Sequence, residues 1–542
     1  MASCRHVLSG DGRTSMPRDV KRPRPDRRLT IAEEPRRLNA CRSMLSIRKG
    51  PPNDMILRIL CMLAAILTHL PVEATDALRY RVTAPAGLDR LDVTVCLGTW
   101  TPRRLKTRTP EAERFLVWPE PADGSPEVRV RDGEIHLRAN AGDCFRYGVD
   151  LAAALEEEGG RMIVAQGADR LLGSGLWLWR PEHIPPDADT RVSFQLPAGY
   201  RVSVPWEAAG DDNAGPTFHL GRTPASWRDL MAIGRFDVQE VAVPGARLRV
   251  SVLDGDHPAE ADDMKRWIAE AANAVATLYG SFPLASPQVL VVPRGESGEA
   301  VPWAQVLRGG GAAAHFFVDA SRPLSEFSED WTAAHEFSHM LMPYIHRDDA
   351  WLSEGFASYY QNVLRARAGM LDPEQAWDKL YKGFQRGRDG TRGKTLSEAS
   401  RSMGRDRAFM RVYWSGAAIA LAADVELRRR TGGAQSLDTA MAALRDCCLP
   451  SERAWTGREV FDRLDRLTGD TVFRELYDAH VPGRRFPDVG EVSASLGIVE
   501  RGDRLRFRPD PEAEALRDAI MSPPHRFSHS ERLLDQQETA IH

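Results

Sequence analysis

The sequence predicts a multidomain α+β protein, with a sheet-rich N-terminal part and a helical C-terminal part. Three observations predict it. Segments between about 76 and 205 alternate apolar and polar residues. Segments after about 260 repeat their apolar residues at helical spacing. A chain of 542 residues, 42% apolar and 27% charged, has the composition of an ordinary globular protein and the length for two or three cores. The net charge of -4 gives no reason to expect a nucleic acid partner.

The charge is unevenly placed. Residues 1–54 carry 13 Lys and Arg against 6 acids, with many prolines and no apolar periodicity, and are expected to be a disordered extension or a mis-assigned start. Met55 opens a different segment: Arg58, an apolar run from Ile59 to Leu67, then the small-residue site Val72-Glu73-Ala74. This reads as a signal peptide over 55–74, and the expected location is secreted or periplasmic. The alternative is a short N-terminal membrane anchor, although the run is short for a bilayer. Beyond the leader, Cys96 and Cys144 either form a disulfide or remain buried thiols. Cys447-Cys448 has no metal-site spacing.

The strands come first. LDVTVCLGTW, PEVRVRDGEIHLRA, RMIVA, LWLWR and TRVSFQL are separated by Gly, Pro and Asp turns, which gives an N-terminal β-rich domain over 75–240. FDVQEVAVPGARLRVSVL and QVLVVP form a second strand group. Helices follow at AEADDMKRWIAEAANAVATLYGSF, at SEDWTAAHEFSHMLMP with Ser328 as N-cap, and at DDAWLSEGFASYYQNVLRARAG. More helices are expected at 374–386, 409–430, 436–446 and 458–467, and a loose tail over 523–542. Trp177, Trp179, Trp206 and Trp351 are expected in the core, and Arg428-Arg429-Arg430 at a helix C-terminus.

Chemistry is concentrated in His335-Glu336-Phe337-Ser338-His339. Residues four apart share a helix face, so both imidazoles can reach one metal ion, while Glu336 points toward the substrate side. A catalytic zinc needs a third protein ligand and an open position. His346 misses the spacing of the metzincin pattern, whose glycine and histidine positions hold Met342 and Ile345. Glu354 is the better third ligand, on a helix that a loop can fold back against the first.

Trp351-Leu352-Ser353-Glu354-Gly355-Phe356 resembles the W-x-x-E-G-F segment of gluzincin aminopeptidases, and Tyr413-Trp414-Ser415-Gly416 resembles their Y-x-x-G segment. The run from Asp424 to Leu437 is similar to the corresponding helix and turn of the glycyl aminopeptidase family. The resemblance implies a thermolysin-like catalytic domain over 241–400, a helical C-terminal domain over 401–522, and one Zn2+ per chain held by His335, His339 and Glu354. It implies zinc-dependent hydrolysis of a peptide or protein, with Glu336 as general base and Tyr413 stabilising the oxyanion; read without the family, Tyr413 would be a core aromatic.

The chain departs from this family where a carboxylate normally holds the substrate amino group. Here Arg308-Gly309-Gly310-Gly311-Ala312-Ala313-Ala314 carries no acid, and the segment shows only Gly309, Gly310 and Gly311 as a backbone suited to an extended peptide. Glu296, Glu299, Glu326 and Glu329 are substitutes with nothing to place them, and no PDZ-like module follows. Two other readings stay open: a silent peptide-binding scaffold, and a gluzincin hydrolase acting on a non-peptide substrate.

Overall fold

The computed structural model describes residues 75–523 except 119–125, 159–161, 187, 213–214, 256–258 and 502–503. The expected basic extension, the leader from Met55 and the C-terminal tail lie outside the described residues.

The first strand, Thr75–Thr83, lies inside a seven-stranded sheet, parallel to Ala188–Gln195 on one side and antiparallel to Arg90–Leu97 on the other. Alternation works as expected: along Arg90–Leu97 every second residue is buried. The register sets Cys96 directly opposite Cys144 on Cys144–Asp150, and the two form a disulfide. Cys447 and Cys448 are bonded to each other. Trp177, Trp179 and Trp206 are buried in this domain's core with Phe194 and Tyr147.

A second sheet has the strand order Val238–Val243, Ala246–Val252, Gln288–Arg294, Ala313–Asp319, Trp303–Leu307. The middle strands are parallel, and Gln288–Arg294 is buried on both faces up to its last residue, which is why Val289 to Pro293 reads as an unbroken apolar run. Trp303–Leu307 is the antiparallel edge. One face meets the β-domain through a small core of Leu171, Ala232, Leu253, Leu290 and Val292. Gln166 Nε2 bridges the two parts, donating to Asp254 O at 2.8 Å and Pro293 O at 2.7 Å. The other face carries the helices. One hydrophobic core runs from Val241 to Met521, so the helices after 400 share it with the catalytic sheet.

The expected helices form at Ala261–Ala276, Ala350–Arg367, Pro373–Asp389, Phe409–Arg430, Leu437–Cys448 and Gly457–Thr468. The motif helix departs from expectation. Instead of one helix from Ser328, a short helix Leu324–Glu329 ends, the chain extends at Asp330, and a new helix spans Thr332–Ser338. Ser328 does not cap it but donates to Glu270 at 2.7 Å. Asp330 accepts the Thr332 N–H at 2.7 Å and takes the capping role. A hairpin, Ile498–Arg501 with Arg504–Phe507, and the helix Pro511–Met521 complete the described chain. Among the described residues no helix is long and apolar enough to cross a membrane.

Candidate active site

Phe337 anchors the seven-residue motif helix. It is fully buried, edge-on to Phe282 (5.4 Å) and Phe316 (5.6 Å), a burial that contributes about 1.5–3 kcal/mol. With Phe337 directed into the core, His335 and Glu336 lie on the other side, and His339 opens a 3-10 turn, His339–Leu341. The two imidazoles meet edge-to-face with centroids 4.9 Å apart.

Glu354 arrives from Ala350–Arg367, whose position is set by glycine. Gly355 lies against Gly416 of Phe409–Arg430; a Cβ on Gly416 would fall 2.7 Å from Gly355 Cα and run into the Trp351 carbonyl. Only glycine at both positions lets the backbones approach this closely. Glu354 precedes one glycine and Tyr413 lies one turn before the other, so this crossing brings both to the histidines. Trp351, buried edge-on to Phe461, fixes the N-terminal end of the same helix.

The donors converge. Glu354 Oε2 lies 3.3 Å from His335 Nε2 and 3.6 Å from His339 Nε2. The donor atoms of His335, Glu336 and His339 all lie within 4.8 Å of one another. Glu354 lies outside that group of three and presents one oxygen to both imidazoles. Tyr413 stacks nearly parallel to His335 at 5.7 Å and hydrogen-bonds Glu354. His346 lies outside the cluster, exposed, with Nδ1 4.0 Å from Asp348. Glu296, Glu299, Glu326 and Glu329 do not join the cluster.

Two further side chains complete the arrangement. His335 Nδ1 donates to Gln361 Oε1 at 2.7 Å, which leaves the Nε2 lone pair facing Glu354. His339 Nδ1 shares a 2.9 Å hydrogen bond with Ser353 Oγ. Sequence reasoning missed both residues. Gln361 was findable, being two helical turns from Glu354 on the same face; Ser353 is simply its neighbour.

Protonation favours ligation at His339 and Glu354 but not at His335. Burial lowers His339 to about 4 against the pull of Glu354. Burial would raise Glu354, but His339, His335 and the Tyr413 hydrogen bond together hold it below the usual range. His335 is also desolvated, yet its bond to Glu354 and the nearby carboxylates leave it net raised. Glu336 is raised to about 7 by burial, with His335 opposing and Glu354 adding to the rise. A neutral imidazole and an ionised carboxylate are the forms that ligate. The set fits zinc: donors on a tetrahedral ion at ~2.0–2.1 Å stand about 3.3 Å apart, close to the spacings seen here.

The glycine-rich segment lies beside this cluster. Gly309 N donates to Arg228 O (2.8 Å) and Gly310 N to Thr223 Oγ1 (2.6 Å). A Cβ at Gly310 would collide with Trp206, and one at Gly311 with Pro205. These glycines therefore fasten the segment to the β-domain. Arg308, not singled out by sequence, donates from Nη2 to the His339 carbonyl. The large exposed apolar side chains Trp303, Trp331, Tyr344 and Met410 belong to the segments around the cluster, Trp331 lying edge-on to His335 at 5.3 Å.

Residues 334–420 match the family model described as M61 glycyl aminopeptidase. A search of curated proteins finds no match. Among solved structures the chain is similar to an aminopeptidase N family protein from Idiomarina loihiensis, with TM-score 0.58 and 14% identity over 78% of each chain. It is also similar to an M1 zinc metallopeptidase from Deinococcus radiodurans, with TM-score 0.47 and 15% identity over 76% of this chain and 94% of that one. The matched segment contains both histidines, Glu354, Tyr413 and the two crossing glycines; over that segment the chain is similar to the glycyl aminopeptidases, and its fold is similar to that of an aminopeptidase N family protein.

Proposed function

We propose that the chain hydrolyses peptide bonds with Glu336 as general base and Tyr413 as oxyanion donor, at one Zn2+ per chain held by His335, His339 and Glu354. The observation that carries this is the convergence of both Nε2 atoms on Glu354 Oε2, with Glu336 in the same cluster. When bound, zinc supplies Lewis-acid polarisation and makes water a competent nucleophile near neutral pH. Glu336 takes the proton of the attacking water and returns it to the leaving amine, a task suited to a carboxyl raised to about 7. Tyr413 turns its hydroxyl to the oxygen that becomes negative in the tetrahedral intermediate. Gln361 holds His335 in the ligating tautomer, and Ser353 orients the His339 ring.

An extended peptide would run along the edge strand Trp303–Leu307 between the exposed aromatics, with Gly309, Gly310 and Gly311 shaping the end of that groove. No carboxylate in the glycine-rich segment selects a free amino terminus, so blocked and unblocked peptides are both substrates to test. A secreted or periplasmic location is part of the proposal, supported by the leader-like segment and the Cys96–Cys144 disulfide.

Glu336→Gln is the decisive variant. It is expected to retain zinc and lose about 10²–10⁴-fold in kcat on fluorogenic peptides. Full hydrolysis in that variant removes Glu336 from the role of base. A wild-type protein that binds no zinc supports the silent-scaffold reading instead.

A further inference from the structure

We propose that Arg308 is a specificity-determining residue that binds a carboxylate of the substrate beside the metal centre, with Arg228 and Arg108 extending the same cationic wall. The inference rests on the peptidase reading and names the substrate class of that site.

Arg308 follows the edge strand, where Ala304 and Val306 pack into the catalytic core; two residues on, its guanidinium reaches the motif helix at the His339 carbonyl. It is half-buried. Among the described residues it enters no ion pair. A partly desolvated guanidinium without a counter-charge is costly, and a bound carboxylate relieves the cost with bidentate geometry.

Two more arginines come from distant segments to the same wall. The Arg228 carbonyl accepts from Gly309, which fastens that residue next to Arg308. Arg108 Nε donates to Ser226 O at 3.2 Å. Between them Trp227 lies edge-on to Tyr344 at 4.7 Å. Burial lowers the Arg108 pKa and Arg228 adds to the shift, with Asp229 and Tyr344 opposing it. Arg228 and Arg108 are exposed, and neither enters an ion pair among the described residues. Asp229 accepts the Ser174 N–H at 2.9 Å and is shared electrostatically between Arg180 and Arg108. Arg108 also borders a cavity of about 680 Å³. There Lys106 pairs with Glu182 and Arg222 with Glu452, while Arg108 enters no ion pair among the described residues and has only the shared Asp229 as a compensating charge.

The carboxylate can be the peptide's C-terminus or an acidic side chain, and binding separates the two. The zinc-loaded full chain carrying Glu336→Gln is titrated calorimetrically with N-blocked peptides in two matched pairs. One pair contrasts C-terminal acid with amide; the other contrasts Glu with Gln in an amidated peptide. The anionic member of at least one pair is expected to bind about tenfold tighter or more, less so at high salt. Arg308→Gln is expected to shrink that ratio to about twofold, Arg308→Lys to restore part of it, and Arg228→Gln to lower it about threefold; the exposed control Arg129→Gln leaves it alone. Equal binding of both members in both pairs overturns the proposal, as does no binding, or a ratio that survives Arg308→Gln. If Arg308→Gln loses zinc or its melting transition, Arg228→Gln decides, and an unchanged ratio there overturns the proposal. Charge-selective binding without hydrolysis by the wild-type chain sinks only the peptidase reading; hydrolysis without charge selectivity sinks only the carboxylate site.

Discussion

Thr332–Ser338 contributes an imidazole from within and another just past its end, using seven residues held by one buried phenylalanine and an aspartate cap. Ala350–Arg367 contributes one carboxylate from eighteen residues, clamped by the Gly355–Gly416 crossing at one end. At the other, Tyr359 donates to Asp424 (2.8 Å), Tyr360 to Asp438 (3.2 Å), and Arg367 pairs with Asp438 (2.8 Å). The long helix also supplies Gln361 and Ser353 to both imidazoles of the short one. A short helix has little stability of its own. The rigid helix thus serves as the reference, and the motif helix is steered by it.

Breaking the reference should have the largest effect. Gly416→Ala places a methyl against the Trp351 carbonyl, and overpacking of this kind costs about 1–3 kcal/mol. It also shifts Glu354 and Tyr413 relative to the histidines, so kcat/KM is expected to fall about 100-fold even in the folded fraction. Wild-type melting temperature and activity together in this variant would show that the long helix does not set the site. A smaller effect is expected from cutting the link between helices. Gln361→Ala should weaken zinc binding about 10–100-fold, measured by competition with a chelator, with little change in melting of the metal-free protein. Unchanged affinity would mean that His335 is oriented by its own helix. The smallest effect belongs to the short helix itself. Asp330→Ala should cost about 0.5–2 kcal/mol of stability by chemical denaturation while zinc-loaded activity stays near wild type. A matching loss from Ser328→Ala would return the cap to the position expected from sequence.

Much of the site was legible because its spacing is local. His335 and His339 share a helix face and Glu354 follows a loop that can fold back, whereas Tyr413 stood out only through the family resemblance; the glycines beside Glu354 and Tyr413 have a steric reason that the structure supplies. The break at Asp330 was not legible: Ser328, Glu329 and Asp330 all suit a first helical turn, and the hydrogen bond of Ser328 to the distant Glu270 takes it out of the capping role. Arg308 was invisible because its partner is a backbone carbonyl 31 residues away. The individual strands could be read from alternation, but not the parallel pairing of Thr75–Thr83 with Ala188–Gln195, which depends on contacts more than a hundred residues apart. The role expected for Gly309, Gly310 and Gly311 came from their lack of side chains; the structure adds what their backbones touch.

The Gly355–Gly416 contact has a consequence for how such a protein can diverge. It joins the carboxylate donor and the tyrosine to one backbone contact, so a sequence change that moves either helix moves both, and drift in this segment must be concerted. The stretch that matches a family model, 334–420, spans the motif helix through that contact. The segment carrying Arg308 lies just outside it, tied to the β-domain rather than to the crossing helices. A substitution at Gly355 or Gly416 thereby reaches both donors at once, whereas Arg308 touches the motif helix through the His339 carbonyl.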